Sequence, residues 1–198
     1  MSSPILEHVE LAGERVCLRP IRPDDAEESF HYLHQRREIL DWLIWNGPES
    51  VEDMQSLYRN WRIEEGGAAN YHLALTELES GAFSGSMAAR FIGHAHSGDL
   101  GYWVAPEYWN RGLATEALGL FAWLAFNHLD CVLLYARVFQ GNDASSRVLE
   151  KCGYRPDHVS TLVVRGEERR LQHWSLTPSA WREQWSDWGP ARADVRLR

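Results

Sequence analysis

The stretch Glu107-Tyr-Trp-Asn-Arg-Gly-Leu-Ala-Thr-Glu116 runs from the exit of a strand through a single glycine into a helix, and its reading decides the fold. Before it, Asp99-Leu-Gly-Tyr-Trp-Val104 alternates, with Leu100, Tyr102 and Val104 on one face and Asp99, Gly101 and Trp103 on the other. A glycine inside such a strand packs nothing and often marks a bulge or the close approach of a ligand. From Leu113 the apolar spacing becomes helical: Ala117, Leu120, Phe121 and Leu124 form one stripe, and Leu118, Ala122 and Phe126 make the opposite side apolar too. The helix is therefore expected to be largely buried. Gly112 and Ala114 leave its first turn with little bulk, so free backbone N–H groups and the positive end of the helix dipole could meet a pyrophosphate closely. Taken alone, a glycine at a helix start is more often an ordinary strand-to-helix turn.

Residues 132–138 read as a further strand, and Asn142-Asp-Ala-Ser-Ser-Arg-Val-Leu-Glu-Lys-Cys-Gly-Tyr154 as a short helix entered at Asn142 and ended by Gly153. Three pieces now stand in order: Gly101-Tyr-Trp-Val104; Tyr108-Trp109 with Arg111-Gly-Leu-Ala-Thr-Glu-Ala117; and Asn142, Ser145, Val148, Glu150-Lys151 and Gly153-Tyr154. Together they resemble the core of the acetyl-CoA-dependent GNAT N-acetyltransferases. Within that superfamily they are most similar to the RimJ/RimL type, which acetylates the N-terminal amines of ribosomal proteins. The resemblance is strongest over residues 99–154 and extends in outline over 14–177.

The resemblance implies an α/β (α+β) fold: a mixed, mostly antiparallel sheet with helices on both faces and a splayed parallel strand pair whose gap takes the pantetheine arm of acetyl-CoA. Acetyl-CoA would be the co-substrate, without a metal. Its expected binding residues are Trp103 and Val104 on the strand, the backbone of Arg111, Gly112, Leu113, Ala114 and Thr115 at the helix start, and Asn142. Several positions depart from the pattern. Trp109 stands where Gln or Arg is frequent, Ala114 replaces a second glycine, and Leu149 replaces a tyrosine. A glutamate suspected on the penultimate strand has no match among Leu162, Val163 and Val164.

For the chemistry, an ammonium must lose a proton, attack a thioester carbonyl and leave a thiolate that is stabilised or protonated. Asp99 is the candidate base, by its strand position and its shared face with Gly101; otherwise it is a solvated strand-end aspartate. Ser145, three residues after the helix-opening asparagine, is the candidate acid; otherwise it satisfies the first helical turn, with Asn142 as N-cap. Trp42 and Trp45, in Asp41-Trp-Leu-Ile-Trp-Asn-Gly-Pro48, either wall an acceptor pocket or are core aromatics. His94 and His96 read as exposed loop residues, because two loop histidines without a matching cysteine or carboxylate make a poor metal site. The expected activity is direct acetyl transfer in a ternary complex, to a protein or peptide N-terminal amine. The alternatives are a small-molecule amine (a polyamine, an antibiotic or an amino-acid analogue) and a non-catalytic acyl-CoA-binding module.

Composition bounds these readings. The chain has 198 residues, 44% hydrophobic and 24% charged, enough for one domain with a proper core. A formal charge of −8 with no basic cluster argues against nucleic acid and is compatible with a cationic acceptor. The first residues lack a signal-peptide pattern, and no apolar run is long enough to span a bilayer, so no membrane partner and a cytoplasmic location are expected. Cys17, Cys131 and Cys152 form neither a disulfide framework nor a metal-ligand spacing, and Cys152 reads as buried packing.

Working outward, 14–19 is expected as the first strand. Asp24 with Glu27, and Ser50 with Asp53, resemble capping boxes that open two helices. The first buries Ala26, Phe30 and Leu33. The second carries Met54, Leu57, Tyr58 and Trp61 on one face and stops at Gly66-Gly67. Residues 71–77 and 83–92 alternate as strands around a turn at 79–81, a loop spans 93–98, and 161–165 with 169–176 read as a hairpin turning at Gly166-Glu167. The expected organisation is one acetyltransferase domain over 1–177, then a Trp-rich helix and tail over 178–198. Trp181, Trp185 and Trp188 in that tail could pack on the body, line the substrate mouth or form a homodimer contact, and residues after Pro190 are expected to be disordered.

Overall fold

The computed structural model describes residues 4–65, 68–92, 97–186 and 188–198. Ten strands form one sheet: β1 (Leu6–Ala12), β2 (Val16–Pro20), β3 (Arg62–Glu65), β4 (Ala68–Glu77), β5 (Phe83–Ile92), β6 (Ser97–Val104), β7 (Leu133–Phe139), β8 (Arg155–Val164), β9 (Glu167–Leu176) and β10 (Arg192–Leu197). Six α-helices accompany them among the described residues: α1 (Ala26–Gln35), α2 (Arg37–Leu40), α3 (Val51–Tyr58), α4 (Leu113–His128), α5 (Asp143–Lys151) and α6 (Pro178–Trp185). Across the sheet the order is β10-β1-β2-β4-β5-β6-β7-β9-β8, with β3 on β4. Every pairing is antiparallel except β6 with β7.

The parallel pair is short. Its register runs only from Ser97↔Leu133 to Leu100↔Ala136. Beyond it β6 stays on β5 as far as Val104, whereas β7 pairs with β9, so the two strands part after Leu100. The alternation read from the sequence holds on both sides of β6. Leu100, Tyr102 and Val104 pack into the main core against α4, whose residues Ala117, Leu118, Leu120, Phe121, Ala122 and Leu124 are fully buried. Trp103 points the other way, into a second core beneath α1 and α3 with Ile21, Leu33, Met54 and Phe83. The sheet therefore carries helices on both faces, as expected.

Several elements differ from the sequence reading, among them β8, which begins at Arg155, and the following four. The strand at 14–19 is β2, preceded by β1, whose Leu6, Val9 and Leu11 enter the main core. At the start of α1 the Asp24–Glu27 box is not formed. Asp25 instead accepts the Arg22 N–H at 2.7 Å and a paired contact from the Arg19 guanidinium at 2.7 and 2.8 Å. The Ser50–Asp53 cap of α3 is present, with the Asp53 N–H on Ser50 Oγ at 3.1 Å, but α3 ends at Tyr58 and Leu57 is exposed. Trp61 lies beyond it, and its carbonyl takes the His72 N–H as the chain enters β3. Gly66 and Gly67 lie outside the described residues. The tail past Pro190, expected to be disordered, forms β10 along the open edge of β1, tied by Arg192 to Glu10 at 2.8 Å and Arg198 to Glu64 at 2.7 Å. An unpaired edge offers backbone partners that no local propensity encodes.

Candidate active site

At the head of α4, Gly112 takes φ +82°, a left-handed conformation that costs glycine little and other residues more. A Cβ there would meet only the Arg15 side chain at 3.8 Å, so the space before the helix is open. The Glu116 N–H is bonded to the Gly112 carbonyl, which leaves the N–H groups of Leu113, Ala114 and Thr115 as the free donors of the first turn. Leu113 itself is core, so only its backbone serves the opening. The Arg111 guanidinium turns away, ion-paired to Glu77 and over the Tyr108 ring. Trp109 donates its indole N–H to the Val104 carbonyl at 2.6 Å and so pins the turn between β6 and α4.

Glu116 closes this region from below. Its buried carboxylate accepts the N–H groups of Glu14 (2.6 Å), Arg15 (2.9 Å) and Val16 (3.1 Å), fixing the β1–β2 turn against the first turn of α4. Gly13 makes that approach feasible, because a Cβ there would stand 2.5 Å from Glu116 Oε1. The result is a cavity of about 250 Å³ whose lining includes Arg15, Gly112, Thr115, Lys151, Trp185 and Trp188. Glu14 and Glu116 also line it, but Glu116 is turned onto three backbone N–H groups and Glu14 is paired with Arg15; the free helix N–H groups, Lys151 and two indole rings suit a phosphate-bearing heteroaromatic ligand. The Trp tail thus packs on the body of its own chain: Trp185 donates to the Cys152 carbonyl at 3.3 Å, and its ring lies within 3.0 Å of where a Gly119 Cβ would be.

Where β6 and β7 part, Gly101 faces open space, with nothing within 4 Å of a built Cβ. The Trp103 side chain is held in the second core beside Tyr32 and Phe83, so only its backbone borders the gap. On the α4 side of the gap stands α5. Asn142 Oδ1 accepts the Ser145 N–H at 3.1 Å as an N-cap, while the Ser145 hydroxyl lies 3.0 Å from the Tyr102 hydroxyl. Burial pushes the Tyr102 phenol well above its usual range, so it stays protonated and able to donate. Cys152 is fully buried with its thiol raised by burial, an inert packing residue. Tyr154 Oη is buried without a hydrogen-bond partner among the described residues.

On the opposite face, Asp99 is bound to Arg137 of β7 at 2.5 Å, so the structure separates Asp99 from Ser145 by the thickness of the sheet. Trp42 and Trp45 are 38% and 41% exposed, hence not core aromatics. Trp42 faces Gly141 at 3.9 Å from a built Cβ, and the Arg169 guanidinium sits 4.4 Å from the Phe139 ring and 5.9 Å from the Trp42 ring. At the tip of the β8–β9 hairpin, Arg165 binds the carbonyls of Leu40, Leu43 and Trp45 and the side chain of Asn46. This clasp ties the 40–46 segment to the β8–β9 hairpin.

The sequence reading passed over Tyr102 as a donor, Glu116 as a clamp and Arg165 as a clasp. Tyr102 and Glu116 lie within the motif pieces and were legible by position; Arg165 left no local signal. His94 and His96 lie outside the described residues. Among the described residues, no group of three or more His, Cys, Asp or Glu could hold a metal, and no helix is long and apolar enough to cross a membrane.

The chain is similar to known proteins in sequence and in fold. A family profile described as an acetyltransferase (GNAT) domain matches residues 15–155. A Bacillus subtilis protein named "Putative ribosomal N-acetyltransferase YdaF" is 24% identical over 175 residues, covering 85% of this chain and 94% of its own. Among solved structures, Mycobacterium smegmatis RimJ in complex with CoA-disulfide superposes with a TM-score of 0.72 at 22% identity, covering 88% of this chain and 87% of that one. Spermidine N-acetyltransferase from Vibrio cholerae, in complex with CoA and spermine, gives 0.71 at 17% identity, covering 84% and 97%. At these identities the structural likeness speaks for the fold.

Proposed function

We propose that this chain, which belongs to the GNAT acetyltransferase family, moves the acetyl group of acetyl-CoA directly to the N-terminal amine of a protein or peptide. The chain is an N-acetyltransferase; the acceptor and the residue roles are our reading. One observation carries it: the parallel pairing of β6 with β7 ends at Leu100, Gly101 faces open space, and the chain then runs through Gly112 into the free N–H groups at the head of α4.

The residues present fit acetyl-CoA. The first turn of α4, open at Gly112, would take the pyrophosphate, and the cavity with Arg15, Lys151, Trp185 and Trp188 would take the phosphorylated nucleoside end. The gap would take the pantetheine arm, beside Asn142 and the backbone of Trp103 and Val104. Acetyl-CoA supplies an activated acyl group, and the protein aligns it. Ser145 and Tyr102 form a hydroxyl pair at 3.0 Å, and on this reading one of them would donate a proton to the departing sulfur. Trp42 and Trp45, held by Arg165, would flank the acceptor on the Asp99 face.

An N-terminal amine is favoured by the RimJ/RimL-like motifs and by a relative named for ribosomal acetylation. A small-molecule amine is the second reading, supported by a structural neighbour that is a spermidine acetyltransferase. The experiment is thiol release from acetyl-CoA with pooled N-terminal peptides and, separately, a polyamine and aminoglycoside panel. Turnover confined to peptides supports the first acceptor class, and turnover confined to small amines replaces it with the second.

A further inference from the structure

We infer that His173, held by Ser160, is the base that accepts the proton of the acceptor ammonium. This rests on the transferase reading above and adds a residue to it.

His173 lies on β9 directly opposite Arg137 of β7, on the face that carries Asp99 and one strand away from the opening between β6 and β7. Its Nε2 is 2.7 Å from Ser160 Oγ of β8, and the His158 ring stacks on it at 4.0 Å with an interplanar angle of 15°. One ring nitrogen is thereby occupied by the serine. In the tautomer with its proton on Nε2, that proton is donated to Ser160 Oγ, and the Nδ1 lone pair, without a hydrogen bond among the described residues, remains for a substrate proton. Asp99, the carboxylate on this face, is already engaged by the Arg137 guanidinium at 2.5 Å.

The surroundings favour a neutral imidazole. Partial burial, the His158 ring and the Arg137 cation all lower the His173 pKa below its ordinary 6.5, and Asp157 and Asp99 oppose them only in part. At neutral pH the ring is therefore a base with an empty site. The step balances: one N–H bond of the ammonium breaks, its proton joins His173 to give an imidazolium, and the freed nitrogen lone pair attacks the thioester carbonyl. The departing sulfur receives its proton on the other face of the sheet, and the imidazolium, beside Arg137, returns its proton to water.

The acceptor's own pKa also bears on this step. An α-amino group at about 7.7–8.0 gives its proton to an imidazole of 6.5 against an equilibrium factor of only about 20, whereas an alkylammonium at about 10.4 does so against roughly 8,000. The difference between them, about 400-fold, belongs to the amines and is the same for any base; a base lower than 6.5 raises both factors equally.

The test uses the full chain. NMR titration without acetyl-CoA, with the His173 signals assigned by loss in His173→Gln, should give a midpoint below 6.5, leaving the ring neutral at the assay pH; a ring still protonated at pH 8 overturns the inference. By calorimetry His173→Gln should bind acetyl-CoA as the parent does, which also shows that it folds. Its kcat/KM for an N-terminal peptide should fall about a hundredfold or more and lose the rise with pH, with partial rescue by added imidazole. Ser160→Ala should lower the rate less and shift the pH profile. A parent that turns over while His173→Gln keeps the same rate and profile sinks this inference alone. A parent that binds acetyl-CoA and acetylates no amine sinks the transferase reading and this step with it.

Discussion

Replacing Glu116 by glutamine tests how the phosphate-binding end is built. The carboxylate holds three backbone N–H groups, at 2.6 Å from Glu14, 2.9 Å from Arg15 and 3.1 Å from Val16. In the variant the amide oxygen can serve Arg15 and Val16 from the Oε2 position. Its NH2 then faces the Glu14 N–H, donor against donor. One charge-assisted bond, worth about 1.5–3 kcal/mol, is lost, and the other two fall to neutral strength at about 1 kcal/mol together. The sum, about 2.5–4 kcal/mol, lowers the melting temperature by about 5–15 °C in a chain of this size. Glu116→Ala, with no acceptor, should lose more, and Gly13→Ala should disturb the same contact because its Cβ would stand 2.5 Å from Oε1. Because the clamp also sets Arg15 over Gly112, acetyl-CoA affinity should fall with stability. Thermal unfolding at pH 7 and calorimetry with acetyl-CoA read the two effects. A glutamine variant melting within about 2 °C of the parent would refute the reasoning, since that spans less than one kcal/mol.

Gly112→Asp places an anion and a left-handed strain at the mouth of the cradle; calorimetry should show acetyl-CoA affinity down by more than about tenfold, with the fold retained by circular dichroism. Ser145→Ala should lower kcat for the thiol-release reaction with the KM for acetyl-CoA little changed, whereas a residue that merely completes the helix turn would leave kcat alone. Arg165→Ala frees the 40–46 segment and should raise the acceptor KM several-fold while leaving acetyl-CoA binding intact, as a lost positioning contact does. His72 is held below its ordinary 6.5 by burial, so above 6.5 it is neutral folded or unfolded and contributes nothing to the pH dependence. As pH falls through 6.5 the unfolded chain binds the proton first. The melting temperature should therefore drop between pH 7 and pH 5, and His72→Gln should flatten that drop.

The centre of the fold was legible because adjacent elements pair there: β6, α4, β7 and α5 follow each other with short connections, and the alternation of 99–104 gives both of its faces. The edges were not. β10 reads Arg-Ala-Asp-Val-Arg-Leu, with Val195 its one residue packed on the main core, and it becomes a strand because β1 offers an unpaired edge and Glu10 and Glu64 offer carboxylates. β3 likewise interrupts a helical pattern because its partner is β4. The same limit applies to the site. The Asn142–Ser145 cap is local and was read correctly, whereas the ion pair that occupies Asp99 comes from Arg137, 38 positions away. Tyr102 was assigned to the core face by alternation. That is where it lies, but alternation says nothing of where its hydroxyl ends.

That last contact also accounts for the departure at Leu149. In the resembling enzymes a tyrosine often stands at this position; here Leu149, on the inner side of α5, is fully buried in the main core. The phenol that reaches Ser145 comes instead from β6, through Tyr102. On the proposed reading the donor moves from helix to strand, and the chemistry divides across the sheet. Protonated hydroxyls sit on the α4 side of the opening, and the ion-paired Asp99 with the neutral His173 sits on the other. A proton taken from the acceptor and a proton given to the sulfur then travel on opposite faces. Neither group has to change role within one turnover, so the acid can keep a high pKa and the base a low one.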